Sequence, residues 1–322
     1  RNDFFNGHGS EEIMEVVEMY VTELKNNIDL KRKIKLAIDC GNGAGGVLAK
    51  EVFEGIGCDV ELIYSDLDGN FPNHHPDPSK TENLIDLVEI VKNKNKEVGL
   101  AFDGDADRLG VISSIGEIIY PDMQMVLFAK DILSKNRGSK VVFDVKCSKF
   151  LPDLIKQSSG IPIMSKTGHS FIKEAIIKES AVLGGEMSGH IFFNDRWPGF
   201  DDAIYAGARM AELISRQPEK EDIFCSLPKS YSTPEINLKT TDDIKFKVVD
   251  KFKSLSNFTD SKIIDIDGVR IEFNNGWGLL RASNTTPNLV LRFEAESEED
   301  LQLIKNSFKE ILKKIDPDFV TF

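Results

Sequence analysis

A glycine turn set between an apolar strand and a helix constrains this chain more than any other feature. Residues 34–39 read as a buried strand that runs into Gly41-Asn-Gly-Ala-Gly-Gly46. An apolar helix follows from Val47, and a second strand lies near residues 60–64. Strand, glycine turn, helix, strand is the pattern of a βαβ unit, which commits the chain to a parallel sheet covered by helices. The glycines continue to no acidic ribose ligand, and no Walker lysine follows them. A tight strand-to-helix turn therefore accounts for them without a nucleotide.

Upstream, Ser10 precedes Ile13, Val16, Val17, Tyr20, Val21 and Leu24, the spacing of one amphipathic helical face. Downstream, Phe71-Pro-Asn-His-His-Pro-Asp-Pro78 reads as an ordered loop, in which His74 and His75 are loop structure. A helix is expected over 82–92 and a strand over 98–102. A second unit of similar texture starts near Gly138, with strands at 140–145 and 161–164, helices at 150–157 and 170–180, and a glycine turn after 181–183. Past Pro228 the texture changes to strands and turns, with strands near 262–265, 270–273, 278–282 and 289–295. A last helix opens at Ser297, with Asp300 as its capping-box partner and Leu301, Ile304, Phe308 and Ile311 as its buried stripe. The expected fold is α/β: two three-layer α/β domains with mixed sheets (1–116 and 117–226), then a smaller α+β domain (227–322).

The 322 residues are 41% hydrophobic, enough for packed cores. With 40 basic against 53 acidic side chains the net charge is −13, which argues against a broad nucleic-acid surface. Any phosphate must then be held by a few local donors. No run reaches the roughly 18 apolar residues of a membrane span, and Cys40, Cys58, Cys147 and Cys225 form no CxxC pair. A reduced, cytoplasmic protein is expected.

Three turns could carry chemistry. Asp103-Gly-Asp-Ala-Asp-Arg108, between strands at 98–102 and 109–113, points alternate carboxylates at one place, which suits a hard divalent cation. The plain alternative is a solvated acidic turn. An EF-hand fits poorly, because its glycine and position-twelve glutamate would be Arg108 and Ser114. A haloacid-dehalogenase-type phosphatase would make Asp103 a nucleophile, but a third carboxylate followed by arginine suits a metal cradle better. Arg281-Ala-Ser-Asn-Thr-Thr-Pro287 gathers a guanidinium, three hydroxyls and an amide in a turn fit for phosphate, with Arg292 placed to help. An ordinary Ser/Thr/Asn turn is the bland reading. Gly184-Gly-Glu-Met-Ser-Gly-His190 could grip sugar hydroxyls, and Lys146 and His169 stand near strand ends of the same unit, where α/β sheets bind ligands.

Together these motifs resemble the α-D-phosphohexomutase family, in its bacterial phosphomannomutase/phosphoglucomutase branch, in order and over essentially the whole chain. The resemblance implies that Asp103, Asp105 and Asp107 hold Mg²⁺, with Arg108 adding a positive contact. It implies that Glu186 and Ser188 hold the sugar 3- and 4-hydroxyls and that Arg281, Ser283, Asn284 and Thr285 clamp the unreactive phosphate. His169 would be a further substrate contact, and His190 and Lys146 would handle protons or touch phosphate. The methionine at 187 resembles glucose and mannose enzymes. The implied reaction interconverts hexose 1- and 6-phosphates through a 1,6-bisphosphate and a phosphoserine enzyme. The family carries that serine in a Thr-Ala-Ser-His-Asn-Pro-like loop of a first domain, and this chain contains no Ser-His dipeptide. We therefore expect family domains two to four, with the first upstream, and a chain inactive alone that binds hexose phosphates weakly as a monomer. A metal-dependent phosphatase and a non-catalytic sugar-phosphate-binding fragment are the alternatives.

Overall fold

The structure is a computed structural model that describes residues 7, 9–219 and 221–319. Its first unit comprises α1 (Val17–Asn27), β1 (Lys35–Asp39), α2 (Gly45–Gly55), β2 (Asp59–Ile63), α3 (Ile85–Asn93), β3 (Val98–Phe102), β4 (Leu109–Ser113) and β5 (Ile118–Ile119). The strands pair in the order β2-β1-β3-β4-β5. β1 runs parallel to β2 and β3, and β4 returns antiparallel to β3.

The second unit repeats that plan. It contains α4 (Pro121–Lys135), β6 (Lys140–Asp144), α5 (Phe150–Gln157), β7 (Ile161–Ser165), α6 (His169–Glu179), β8 (Leu183–Gly185), β9 (Ile191–Phe193) and α7 (Ala203–Ser215). The order β7-β6-β8-β9, with two parallel pairs and one antiparallel, matches β2-β1-β3-β4 strand for strand. In both units the antiparallel return places a polar turn at the same corner of the sheet.

Pleating decides what each strand face meets. Leu36 and Ile38 of β1 and Val141 and Phe143 of β6 belong to one continuous core, which also takes in residues of α1, α2, α4, α5 and α7. The alternate residues face outward: Ala37 toward Leu84, Leu87 and Val91, and Val142 toward Ile172 and Ile176 of α6. The two sheets thus share a single inner helical layer, with α3 and α6 outside.

The third unit holds β10 (Tyr231–Ser232), β11 (Ile236–Lys239), α8 (Asp242–Leu255), β12 (Lys262–Ile264), β13 (Val269–Phe273), β14 (Gly276–Ala282), β15 (Asn288–Ala295) and α9 (Glu298–Ile315). Its sheet is antiparallel in the order β10-β15-β14-β13-β12, with β11 also on β15. The expected cap is present: the Ser297 hydroxyl accepts from the Asp300 N–H at 3.1 Å and donates to its carboxylate at 2.6 Å.

Two expectations need correction. The first helix begins at Val17 rather than after Ser10, and Ile13 and Val16 are 86% and 56% exposed. A short helix needs a packing surface for its stripe, and only Val21 and Leu24 of α1 are fully buried. The segment read as strands and turns contains α8, which alternating lysines disguised. Its signals were Asp242 and Asp243 in the first turn and Val248, Val249 and Phe252 on one buried face. No helix among the described residues is long and apolar enough to cross a membrane.

Phe308 lies fully buried between α8 and β15, with ring centroids 4.9 Å from Phe252 and 5.1 Å from Phe293. Phe308→Ala should lower the stability of this unit by about 3–5 kcal/mol, read from the urea midpoint by circular dichroism.

Candidate active site

The aspartate turn joins β3 to β4, whose last pair is Phe102 with Leu109. Asp103 is buried and organises the turn from inside. One of its oxygens accepts the N–H groups of Asp107 and Arg108, each at 3.0 Å, and the other accepts Arg108 Nε at 2.6 Å. The first glycine turn supports it from behind. Ala44 N–H donates to Gly104 O at 2.9 Å, and a Cβ on Gly43 would lie 2.6 Å from that same oxygen. Those glycines thus serve a backbone contact with the aspartate turn.

One oxygen each of Asp103, Asp105 and Asp107 lies within 4.8 Å of the others, a donor set suited to a hard cation such as Mg²⁺. Without one, burial pushes the Asp103 carboxyl up to about 6, even against its bonds to Arg108. Arg108 is shared, with its Nη1 3.0 Å from Asp77 Oδ1.

The glutamate–histidine turn joins β8 to β9 in the second unit. Gly189 adopts φ 108°, a conformation open to glycine, and its carbonyl accepts Leu109 N–H at 3.1 Å. Arg108 and His190 pair as an isolated antiparallel bridge. The two turns are therefore stitched by backbone, and their side chains meet. His190 Nε2 is 3.3 Å from Asp107 Oδ1, and its Nδ1 is 3.1 Å from Glu186 Oε2 and 2.8 Å from Ser188 Oγ. Burial alone would push the imidazole down, but its bonds to Asp107 and Glu186 outweigh that and raise it to about 9. The same charge holds Glu186 and Asp107 below the usual carboxylate range although burial opposes it.

Glu186 also accepts the Gly168 N–H at the start of α6. The neighbouring Thr167 donates its hydroxyl to Asp144 at 2.9 Å and its N–H to Asp267 at 3.1 Å. Asp267 takes Arg281 Nε at 3.0 Å, which ties the third turn to the second. Lys146 is buried beside this junction, with Nζ 2.6 Å from Glu235 and 3.9 Å from Asp144. Burial would lower its pKa, but those carboxylates raise it instead. Ser283 is buried and accepts the N–H groups of Thr285 and Thr286 at 3.3 and 3.2 Å. Asn284 and Thr285 stand exposed on their own turn. His169 opens α6, stacks on His190 at 5.5 Å and meets Asp201 at 3.1 Å through Nδ1.

Residues from three sheets are thus linked in one chain: Asp107, His190, Glu186, the 167–168 backbone, Asp267, Arg281. Sequence reasoning missed the acidic connectors Asp77, Asp144, Asp201, Asp267 and Glu235. Asp77 sat in the Pro-rich loop and Asp267 in an Asp-Gly turn, where such residues are expected for local reasons.

Comparison with known proteins gives a consistent result. Residues 18–116 match the alpha/beta/alpha domain II of phosphoglucomutase/phosphomannomutase, 120–231 match its alpha/beta/alpha domain III, and 235–311 its C-terminal domain. A phosphomannomutase/phosphoglucomutase of Pseudomonas syringae pv. tomato is 49% identical over 318 residues, covering 98% of this chain and 68% of that protein. A phosphoglucomutase of Neisseria meningitidis serogroup A is 51% identical over 296 residues, covering 91% of this chain and 64% of that protein. A phosphoglucomutase/phosphomannomutase family structure from Burkholderia thailandensis superposes with TM-score 0.92 at 45% identity, over 97% of this chain and 67% of that one. An Aspergillus fumigatus N-acetylphosphoglucosamine mutase, solved with glucose 1,6-bisphosphate, shares the fold at TM-score 0.60 and 12% identity, over 93% of this chain and 64% of that one.

In metal-free protein the His190 ring should titrate near 9 by NMR, with Asp107→Asn and Glu186→Gln each moving the midpoint toward 6.5. Because the folded value is raised, the ring's contribution to stability is complete below about pH 6.5 and drains away as pH passes about 9. A wild-type midpoint at 6.5 would contradict the paired geometry.

Proposed function

This chain belongs to the phosphoglucomutase/phosphomannomutase family, and from that premise we propose that it supplies three of the recognition surfaces of a cytoplasmic phosphohexomutase. The reaction interconverts the 1- and 6-phosphates of glucose or mannose through a 1,6-bisphosphate. The observation that carries this reading is the linkage of the aspartate, glutamate–histidine and arginine turns through shared side chains, because a doubly phosphorylated sugar needs all three at once.

Phosphoryl transfer depends on positioning and on balancing charge over the phosphoryl oxygens. Asp103, Asp105 and Asp107 would hold Mg²⁺, which supplies positive charge at the reacting phosphate when bound. Arg108, fixed by Asp103 and Asp77, presents its guanidinium to the same place. Glu186, kept ionised by His190, accepts two sugar hydroxyls, with Ser188 beside it. Arg281, Ser283, Asn284 and Thr285 take the phosphate at the far end, with exposed Asn284 and Thr285 free to turn toward it. His190 holds a proton between Glu186 and Asp107, His169 stacks beside it, and Lys146, paired with Glu235, would touch phosphate or handle a proton. A sugar that turns around in such a cleft meets the same grips in either orientation.

A phosphatase that uses Asp103 as its nucleophile is disfavoured by the geometry. Two N–H groups fill one Asp103 oxygen and Arg108 Nε takes one position on the other, so the carboxylate has a position left to hold a metal but none to attack phosphorus as well. Phosphoryl donation here needs a serine in a Ser-His context that these 322 residues do not contain.

The 322-residue chain should therefore bind glucose 1,6-bisphosphate weakly by calorimetry and turn over no glucose 1-phosphate in a coupled assay. Glu186→Gln and Arg281→Ala should each weaken that binding roughly 10- to 100-fold, the range for hydrogen bonds to charged groups. Sustained turnover would refute the expectation of inactivity. Phosphate release abolished by Asp103→Asn would favour the phosphatase, and binding indifferent to both substitutions would remove the site.

A further inference from the structure

Asp107 belongs to two groups of potential ligands. Besides the aspartate trio, one of its oxygens, one ring nitrogen of His190 and one oxygen of Asp201 lie within 4.8 Å of one another. This second group differs chemically from the first, because it includes an imidazole and excludes Asp103 and Asp105.

One edge of this group has the length a tetrahedral metal needs. Ligands at 2.0–2.1 Å from zinc stand about 3.3 Å apart along a tetrahedral edge, and His190 Nε2 is 3.3 Å from Asp107 Oδ1. The outer contacts are those that orient metal ligands elsewhere. A ligating histidine usually gives its other ring N–H to a carboxylate, which fixes the tautomer and raises basicity. Here His190 Nδ1 faces Glu186 Oε2 at 3.1 Å and Ser188 Oγ at 2.8 Å, leaving Nε2 toward Asp107. Asp201 is steered in the same way, by Lys173 Nζ at 2.6 Å on one oxygen and His169 Nδ1 at 3.1 Å on the other.

From this arrangement we infer that Asp107, His190 and Asp201 form a second metal site, selective for borderline transition metals such as Zn²⁺ or Co²⁺. An imidazole with two carboxylates suits those ions, whereas Mg²⁺ prefers the all-oxygen trio. On the reading of the preceding section, occupancy takes Asp107 and His190 away from the sugar phosphate, so this metal and the substrate exclude each other.

Co²⁺ is the probe, added to the chelator-stripped 322-residue chain and followed by its visible absorption and by calorimetry. Asp105→Asn should retain the cobalt band, because Asp105 lies outside the second group. His190→Gln and Asp201→Asn should remove it or weaken binding at least ten-fold. Glu186→Gln, which alters only an outer contact, should weaken it about 10- to 100-fold. Cobalt binding abolished by Asp105→Asn, or unchanged in His190→Gln, overturns the inference, as does the absence of any cobalt binding. Should Asp201→Asn fail to fold by thermal melt, His190→Gln and Glu186→Gln decide the matter. Cobalt binding as stated, together with no affinity for glucose 1,6-bisphosphate, would sink the proposed function and leave this site standing.

Discussion

Charge balance in a confined volume is the constraint that orders this molecule. Asp103, Asp144 and Glu186 are almost fully buried, and Asp107 and Asp201 lie partly buried near them. Carboxylates withdrawn from water repel one another and drift toward protonation, as the rise of Asp103 to about 6 illustrates. Arg108, His190 and Lys146 each answer two acids. Arg108 spans Asp103 and Asp77, His190 spans Asp107 and Glu186, and Lys146 spans Glu235 and Asp144. Each cation answers one acid of its own turn and one from a distant segment (Asp77, Asp107 and Glu235 respectively), so balancing the charge also ties the turns together.

The legible part of the fold was the part governed by local periodicity. Strands such as Val98–Phe102 and the helix Phe150–Gln157 appear at the expected residues, because each carries its own burial pattern and turn signals. The extra turns expected at the start of α1 failed for the opposite reason, since a stripe is helical only where something covers it. The shared inner layer was also invisible, because no periodicity tells whether two sheets bury α7 together or bury two helices apart.

The candidate site divides in a similar way. Dense motifs announced Asp103, Asp105, Asp107, Glu186, His190 and Arg281. The connectors did not announce themselves: Asp267 binds both Arg281 and Thr167, 100 residues upstream, and Glu235 reaches Lys146 across 89 residues. A lone acidic residue in a loop is the commonest surface feature of a soluble chain, so only the tertiary fold could single these out.

The third unit meets the second through a different kind of contact from the one that joins the first two. Arg270 donates to the carbonyls of Val145 and Cys147 at 2.7 and 2.6 Å while its guanidinium stacks 3.8 Å over Trp277. Ser148 bonds Glu294, and Lys149 reaches Glu296. The apolar share is small, with Val145, Trp277 and Leu279 buried together and Met164 beside them. A greasy seam resists sliding because every exposed methylene is penalised, whereas water can stand in for a carbonyl or an ammonium as partners separate. The first two sheets are therefore held by a shared apolar layer, whereas the third unit is fixed to the second by buried polar bonds whose geometry sets its position.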